Sequence, residues 1–330
     1  MKLQECDLDI SGVVSRPLIR SKPEEEWLQA KDHEIIPDSL FEFYCRADYF
    51  SFGKAPRFLS DPEKLLFPFV SNVARGILDS CIEAEDLLTA IRDAHQRMYT
   101  PVKRMKGVEW DAKASLKSQR SFKYLVLALS GILDQFAEIA AILFHPQLQK
   151  LTPGRSSFDT FKDFAEAPLH SPDFVVTAKT PLIEKLHEVL RSEIVVAGPE
   201  ECWLDLLVLY RNKIAHLGNS MFCRMGFADK HDDYFLFLPN RWPYFIQQDI
   251  TTPHEKPTGS VRELAEETLV YQDVVEYSQM LTGRIKRLLK GGFSVLCKAY
   301  HDFRNFDPTP EVISSIRKNS KSFTFRYFES

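Results

Sequence analysis

Residues 125–144, LVLALSGILDQFAEIAAILF, restrict the fold of this chain more than any other segment. The stretch is long and apolar enough to span a membrane. However, Asp134, Gln135 and Glu138 lie at its middle, where ionised carboxylates are costly in a bilayer. Ser130, Asp134 and Glu138 recur every four residues, which places them on one stripe of a helix. The segment therefore predicts a buried helix in a large helical core rather than a membrane span.

The composition agrees with a mainly α fold. The chain has 13 glycines in 330 residues, whereas the usual share is about 7%, and it has 25 phenylalanines to fill a core. The net charge of −4 excludes a strongly basic nucleic-acid coat and a highly charged disordered chain, but it permits RNA binding by a local patch. No GxGxxG or GxxxxGK[ST] sequence occurs, which argues against dinucleotide-binding and P-loop folds.

Cysteine and histidine spacing gives no sign of a metal site. The six cysteines are scattered without a CxxC pair, which is typical of reduced thiols in the cytoplasm. His187 and Glu188 begin like HExxH, but the second histidine is missing, so a zinc protease is not expected. The N-terminus lacks the apolar core of a signal peptide. We therefore expect a cytoplasmic protein with no metal, no cofactor and no membrane association.

The order of predicted elements indicates a four-helix bundle with additions. Residues 1–60 form an irregular N-terminal extension with a short predicted helix near 39–44, residues 61–290 form the bundle, and residues 291–330 form a C-terminal helix and tail. The predicted bundle helices are 61–98, 110–144, 199–217 and 260–290, and Gly291-Gly292 ends the last of them. An inserted connector, 146–200, contains several prolines and one predicted helix at 181–192. A small β-hairpin occupies 234–247, with predicted strands at 234–239 and 242–246 around Asn240-Arg241, and Pro239 and Pro243 indicate edge character. A basic loop at 101–107 carries Lys103, Arg104 and Lys106, a weak candidate for RNA binding.

The segment 203–218, WLDLLVLYRNKIAHLG, carries the most informative chemistry. On a helical wheel, one face is polar, with Asp205, Asn212 and His216. Arg211 falls on the flank of the opposite, buried face. A buried guanidinium needs a carboxylate partner, and Asp134 or Glu138 on the buried acidic stripe is the predicted one. The apolar face consists of Trp203, Leu206, Leu207, Tyr210, Ile214 and Leu217.

The run Arg211-Asn212-Lys213-Ile214-Ala215-His216 resembles the R-polar-x3-H signature of HEPN domains. Its place on a late helix of a four-helix bundle is also similar to that family. The resemblance covers the bundle, roughly residues 61–290. It does not extend to either terminal extension, the connector or the hairpin.

The resemblance implies a metal-independent endoribonuclease that works as a homodimer, with two motifs meeting at one RNA-cleaving site. Arg211 and His216 would be the catalytic pair, Asn212 would position them, and Asp134 and Glu138 would support Arg211. The RNA 2′-hydroxyl would attack its own phosphate, while His216 moves protons and Arg211 stabilises the negative charge. A bacterial toxin or antiphage-defence effector, with an antitoxin or defence-system partner protein, is the implied setting.

Two further interpretations stay open. The bundle could be a non-catalytic HEPN-like module that binds a nucleotide, RNA or a protein, or a scaffold that only dimerises. The sequence also departs from HEPN partners of minimal nucleotidyltransferases, which often carry a tyrosine two residues after the histidine. Here that position is Gly218, so the modified-tyrosine mechanism of those pairs is not expected.

Overall fold

The structure is a computed structural model, and the protein is mainly α-helical. It describes residues 34–52, 61–104, 112–145, 157–169, 181–195, 203–217, 224–227, 234–239, 269–272 and 274–302, together with 148, 150 and 171. The part of the predicted N-terminal extension before residue 34 and the part of the predicted C-terminal tail after residue 302 lie outside these residues.

Seven helices and three strands are described. In chain order they are α1 (Asp38–Phe52), α2 (Asp61–Arg104), α3 (Ala112–Phe144), α4 (Phe158–Glu166), α5 (Pro181–Ile194), α6 (Trp203–Leu217), β1 (Arg224–Phe227), β2 (Tyr234–Pro239), β3 (Leu269–Gln272) and α7 (Val274–Asp302). The predicted helices at 110–144, 181–192 and 199–217 are therefore present within a few residues.

The chain divides into two compact units. The first unit comprises Met1–Ile82, Gly131–Ala197 and Arg284–Ser330, and the second comprises Glu83–Ser130 and Gly198–Gly283. Their boundaries fall inside α2, α3 and α7, whereas the sequence-based division placed its boundaries at residues 60 and 290. Each long helix therefore contributes one part to each unit.

Phenylalanine rings form the core of the first unit. Phe136 lies 5.8 Å from Phe161 and 5.5 Å from Phe293 between ring centroids, with the rings near edge-to-face. Phe43 of α1 packs on Phe293 at 5.2 Å, and Phe161 packs on Phe164 at 6.3 Å. Such tilted pairs of large buried rings contribute stabilisation beyond their burial alone.

Helix α4 lies in the connector 146–200, for which the sequence predicted one helix only, at 181–192. Its apolar residues Phe158, Phe161, Phe164 and Ala165 are buried and recur at the spacing of one helical face. That spacing is the signal that would have predicted it. Three prolines nearby, at 153, 168 and 172, outweighed the signal.

The prediction that Gly291-Gly292 ends a helix was wrong, because α7 continues through both residues to Asp302. The glycines serve close packing instead. A Cβ atom on Gly292 would lie 2.5 Å from Phe136 Cζ, and one on Gly291 would lie 2.6 Å from Val189 Cγ1. Only glycine permits this approach of α7 to α3 and α5 without a shift of the neighbours.

The predicted helix start at residue 260 was also wrong. Residues 269–272 form β3, and the helix begins at Val274. The segment LVYQ of β3 contains β-branched and aromatic residues that favour strands, and pairing with β2 decides between the two states. Residues 260–268 lie outside the described part of the chain.

The three strands form an antiparallel sheet of the second unit with β2 at its centre. Phe227 is opposite Tyr234 in the β1–β2 pair, and Leu236 is opposite Gln272 in the β2–β3 pair. The predicted strand at 234–238 is therefore present, but its hairpin partner is β1 on its N-terminal side. The predicted partner, 242–246, lies outside the described residues.

Pro239 and Pro243 predicted edge character for this hairpin, and for β2 the prediction was wrong, because β2 is the central strand of the described sheet. Pro239 is the last residue of β2 and is opposite Leu269. At a strand end, the missing N–H of proline removes at most one terminal ladder hydrogen bond, so a central strand tolerates it.

Helix α3 fits the prediction of a buried core helix. Within the described residues it is the one helix long and apolar enough to cross a membrane, and 72% of its most apolar window is buried inside the protein. Ser130 is buried, and its hydroxyl donates to the Val126 carbonyl of the same helix at 2.8 Å. This burial is that of a core helix rather than of a lipid-facing span.

Candidate functional site

Helix α6 presents a buried apolar face and an exposed acidic start, as its periodicity predicts. Trp203, Leu207 and Tyr210 are almost fully buried, whereas Asp205 in the first turn is exposed. An acidic residue in the first turn interacts favourably with the helix dipole. Ile214, predicted on the apolar face, is partly exposed, so burial decreases towards the C-terminal end of the helix.

The three candidate catalytic residues lie on this helix. Arg211 is partly exposed, in agreement with its predicted place on the flank of the buried face. Asn212 and His216 lie within the helical backbone of α6, one turn apart, and their side chains are outside the described part of the chain. The structure therefore supports the helical spacing of the motif.

An aromatic triad anchors the motif helix within the second unit. The rings of Phe122 in α3, Tyr210 in α6 and Tyr277 in α7 lie 6.2–6.4 Å apart between centroids, for each of the three pairs. Tyr210 immediately precedes Arg211. Because all three rings are buried, their packing fixes the position of the backbone from which Arg211 extends.

Three buried hydroxyl groups lie in or near this triad along the chain. The hydroxyls of Tyr277, Ser118 and Ser278 are buried and lack a hydrogen-bond partner among the described residues. Burial also raises the pKa of Tyr277 far above its usual value, so the phenol stays neutral. Buried polar groups without partners are uncommon, but they are not confined to this region, since Gln135 Oε1 of the first unit also has no described partner.

The predicted supporting acids lie on α3 in the first unit and are partly exposed. Asp134 Oδ1 accepts a hydrogen bond from the backbone N–H of Phe158 at 3.0 Å. Phe158 is the first residue of α4, and the adjacent Ser157 makes no side-chain cap. Asp134 therefore satisfies one of the unpaired N–H groups at this helix start. Its pairing with Arg211, which belongs to the second unit, stays a prediction, as does that of Glu138.

The predicted basic loop is only partly a loop. Helix α2 continues through Pro101 to Arg104, so Lys103 and Arg104 belong to its last turn. Their side chains and the whole of Lys106 are outside the described residues. The proposed role of these three residues in RNA binding stays a prediction.

An exposed groove on α3 was missed by the sequence analysis. Lys113, Leu116, Lys117, Arg120, Ser121 and Tyr124 line an open depression of about 360 Å³. Leu116 and Tyr124 are 51% and 58% exposed. The spacing of Lys113, Lys117, Arg120 and Tyr124 along one helical face is the signal that could have found it.

Other candidates for chemistry have structural roles in the described residues. His187 is buried, its Nε2 lies 3.0 Å from the Ala167 carbonyl oxygen, and its ring packs edge-on against Phe164. The described part of the chain contains no group of three or more histidine, cysteine or acidic side chains able to hold a metal ion. No family model matches the chain, and neither a curated protein nor a solved structure matches it.

Proposed function

We propose that this chain is a metal-independent endoribonuclease of the HEPN type that cleaves RNA at a site completed by a second copy of the chain. The observation that carries the proposal is the Arg211-Asn212-xxx-His216 spacing on one continuous helix. Partial exposure of Arg211 adds support, because a guanidinium that contacts a phosphate needs access to solvent. The aromatic triad, which includes Tyr210, also supports the proposal, because its packing holds α6 in a fixed position.

The proposed reaction uses the RNA's own 2′-hydroxyl as the nucleophile. The 2′ oxygen bonds to phosphorus and the bond to the 5′ oxygen breaks, which leaves a 2′,3′-cyclic phosphate and a free 5′-hydroxyl. His216 moves the protons between these two oxygens, and Arg211 stabilises the charge that develops on the phosphoryl oxygens. Asn212 holds these groups in position. This chemistry calls for no metal and no cofactor.

The proposed setting is the cytoplasm, as a toxin or an antiphage-defence effector. A homodimer brings two copies of the motif to one composite site, and an antitoxin or another protein of the same defence system controls it. The rival proposal is a non-catalytic HEPN-like module that binds a nucleotide, RNA or a protein. The hydrogen bond from the Phe158 amide to Asp134 gives this carboxylate a structural task in addition to its proposed support of Arg211.

Cleavage of RNA in EDTA tests the proposal. The purified protein should cut RNA, leave 2′,3′-cyclic phosphate ends and sediment at twice the mass of one chain. His216→Ala and Arg211→Ala should each abolish cutting. Asp205→Asn, an exposed change on the same helix, should leave it intact and serves as the matched control. Circular dichroism must show that all three variants keep the helical content of the wild type.

Each contrary result is specific. Full cleavage by His216→Ala would remove this residue from the mechanism. Cleavage that disappears in EDTA and returns with Mg²⁺ would contradict a metal-independent reaction. A chain that sediments as one protomer while cutting RNA would contradict the composite site.

A further inference from the structure

We propose that the exposed groove of α3 binds single-stranded RNA, with Lys117 and Arg120 on phosphates and Tyr124 stacked on a base. The inference rests on the proposed function, because it names a surface that holds the substrate on α3, the helix that packs against the cleaving helix α6. The groove is lined by Lys113, Leu116, Lys117, Arg120, Ser121 and Tyr124 and has a volume of about 360 Å³.

Two cations of the groove, Lys117 and Arg120, have no ion-pair partner among the described residues. Lys117 and Arg120 are exposed, and neither forms an ion pair with a described acidic side chain. The arginines of α7 behave differently, since Arg284 and Arg287 both approach Glu193 Oε2, at 3.5 and 3.3 Å. Although the protein has a net charge of −4, the exposed side chains of Lys117 and Arg120 form a local positive patch. Such a patch attracts an anionic ligand such as a phosphate backbone.

The groove also exposes apolar surface at the same place. Four large hydrophobic side chains are exposed among the described residues, and Leu116, Tyr124 and Leu127 of α3 are three of them. Exposed aromatic rings that alternate with cations are the usual platform for single strands, because every base offers a flat face for stacking. A duplex hides those faces, so the chemistry favours single-stranded over double-stranded RNA.

The groove and the motif helix share one unit and one supporting helix. Phe122 of α3 packs against Tyr210 of α6 at 6.3 Å between centroids, and Arg211 follows Tyr210. Arg120 and Tyr124 each lie two positions from Phe122, about 200° around the helix. The groove therefore occupies the face of α3 that points away from α6, about one helix diameter of 10–12 Å distant. A strand held there can extend by a few nucleotides towards α6.

Two other occupants fit the groove less well. A second copy of the chain, docked through this face by a two-fold axis, would place Lys117 and Arg120 near their own copies. Like charges at such an interface repel. An acidic protein segment would satisfy the cations but would not require the exposed ring of Tyr124. RNA uses both features.

The test measures binding apart from cleavage. A fluorescent single-stranded 12-nucleotide 2′-O-methyl oligouridine cannot be cut by the proposed reaction, because its attacking hydroxyl is blocked. The wild-type protein should bind it, with an affinity that falls as salt rises. Lys117→Glu with Arg120→Glu should weaken binding at least about tenfold, and should flatten the salt dependence by about 0.7 in log–log slope per lost phosphate contact.

The aromatic contribution is tested by its own pair of variants. Tyr124→Ala should weaken binding about 5- to 100-fold, and Tyr124→Phe should restore it, because stacking needs the ring and not the hydroxyl. The control for charge is Arg191→Glu with Lys298→Glu, two exposed residues of the first unit that change the net charge by the same amount. This control should bind within about twofold of the wild type.

The outcomes separate this proposal from the nuclease proposal. Binding of the oligonucleotide that is indifferent to Lys117, Arg120 and Tyr124, in a protein that cuts RNA, overturns the groove and leaves the nuclease. Groove-dependent binding by a protein that cuts no RNA keeps the groove and overturns the nuclease. A charge-reversed variant that loses dimers but keeps its RNA affinity identifies the face as a subunit interface and overturns the groove. If polyglutamate displaces the oligonucleotide as well as unlabelled RNA does, and Tyr124→Ala has no effect, the groove binds an acidic partner and the RNA proposal is overturned.

Discussion

The two units of this protein use their side chains differently. The first unit has a chain of edge-to-face phenylalanine rings at its core and matched ion pairs on its surface, such as Arg46–Glu42 and Lys185–Glu188. The second unit has three buried hydroxyls without described partners. One face of α3 also carries the exposed cations Lys117 and Arg120 beside exposed apolar side chains. The first unit also contains a buried polar atom without a described partner, Gln135 Oε1, so the exposed cations and apolar side chains of α3 make the difference. Exposed apolar patches often mark binding surfaces. We therefore expect the first unit mainly to supply stability, whereas the RNA recognition that we propose belongs to the second.

Truncation of a core ring is the strongest way to test this comparison. Phe136→Ala in the first unit and Phe122→Ala in the second should each lower the free energy of unfolding by about 3–5 kcal/mol, because each leaves a ring-sized cavity. Urea denaturation measures the loss.

Hydrogen exchange shows where that loss falls. Phe136→Ala should deprotect the amides of α4, and Phe122→Ala those of α6, since those helices pack on the respective rings. Equal deprotection of both helices by either variant would show that the two units unfold as one, which would contradict the comparison.

The paired glycines of α7 sharpen the assignment of stability to the first unit. Gly292→Ala should cost about 1–3 kcal/mol through overpacking, because its Cβ would lie 2.5 Å from Phe136 Cζ. Gly131→Ala in α3 is the matched control, since nothing lies within 4 Å of its Cβ. It should stabilise the protein by up to about 1 kcal/mol through helix propensity. Thermal unfolding measures the change in Tm of both variants. Equal changes in Tm would show that close packing at Gly292 is unimportant.

Much of the fold could be predicted from the sequence, because helical periodicity is a local property. The bounds of α3 and α6 follow from apolar spacing and from the loss of that spacing at each end. Two errors share a cause that is not local. Gly291-Gly292 usually breaks a helix, and only the nearness of Phe136 and Val189 explains why it does not do so here. The partner of β2 likewise depends on tertiary pairing with β1 and β3, which no short window of sequence encodes.

The candidate site was predictable in part for the same reason. The spacing of Arg211, Asn212 and His216 lies within one helix, so the sequence reveals it directly. The task of Asp134 could not be predicted, because its acceptor role depends on where α4 begins, 24 residues away. The groove of α3 was missed although its spacing is local, because exposure depends on what else covers the helix.

Asp134 offers the next test. Removal of its charge should affect RNA cleavage if it pairs with Arg211, but not if it only caps α4. As the cap of α4, it should lose about 0.5–2 kcal/mol of stability on change to alanine and little on change to asparagine, which keeps an oxygen acceptor. RNA cleavage should then persist in Asp134→Asn. A drop in cleavage without a drop in stability would instead support the predicted pairing with Arg211.

Removal of the Tyr277 hydroxyl, which has no described partner, should have a smaller effect and should increase stability rather than reduce it. Tyr277→Phe removes a buried polar group without a described partner and keeps the ring that packs on Phe122 and Tyr210. It should raise the free energy of unfolding by about 1 kcal/mol. Loss of stability would show that the hydroxyl has a partner, for example a buried water. Tyr210→Phe serves as the comparison within the same triad.

The partly buried carboxyl of Asp48, in the first unit, gives the smallest expected effect. Burial raises the pKa of Asp48 above its usual value, although Ser71 donates a hydrogen bond to its Oδ1 at 3.3 Å and Arg75 lowers the pKa. The folded protein therefore binds this proton more tightly than the unfolded chain, whose pKa is about 3.9. The free energy of unfolding should fall as the pH rises from that value through the higher folded pKa.

Two variants isolate the contribution of Asp48 to this pH dependence. Asp48→Asn should remove it, because the amide does not titrate. Ser71→Ala should extend it to higher pH, since loss of the donated hydrogen bond raises the pKa of Asp48 further. Urea denaturation from pH 3.5 to 7 measures both slopes. An unchanged slope in Asp48→Asn would mean that other carboxyls, such as Asp79 with its similarly raised pKa, carry the pH dependence of the first unit.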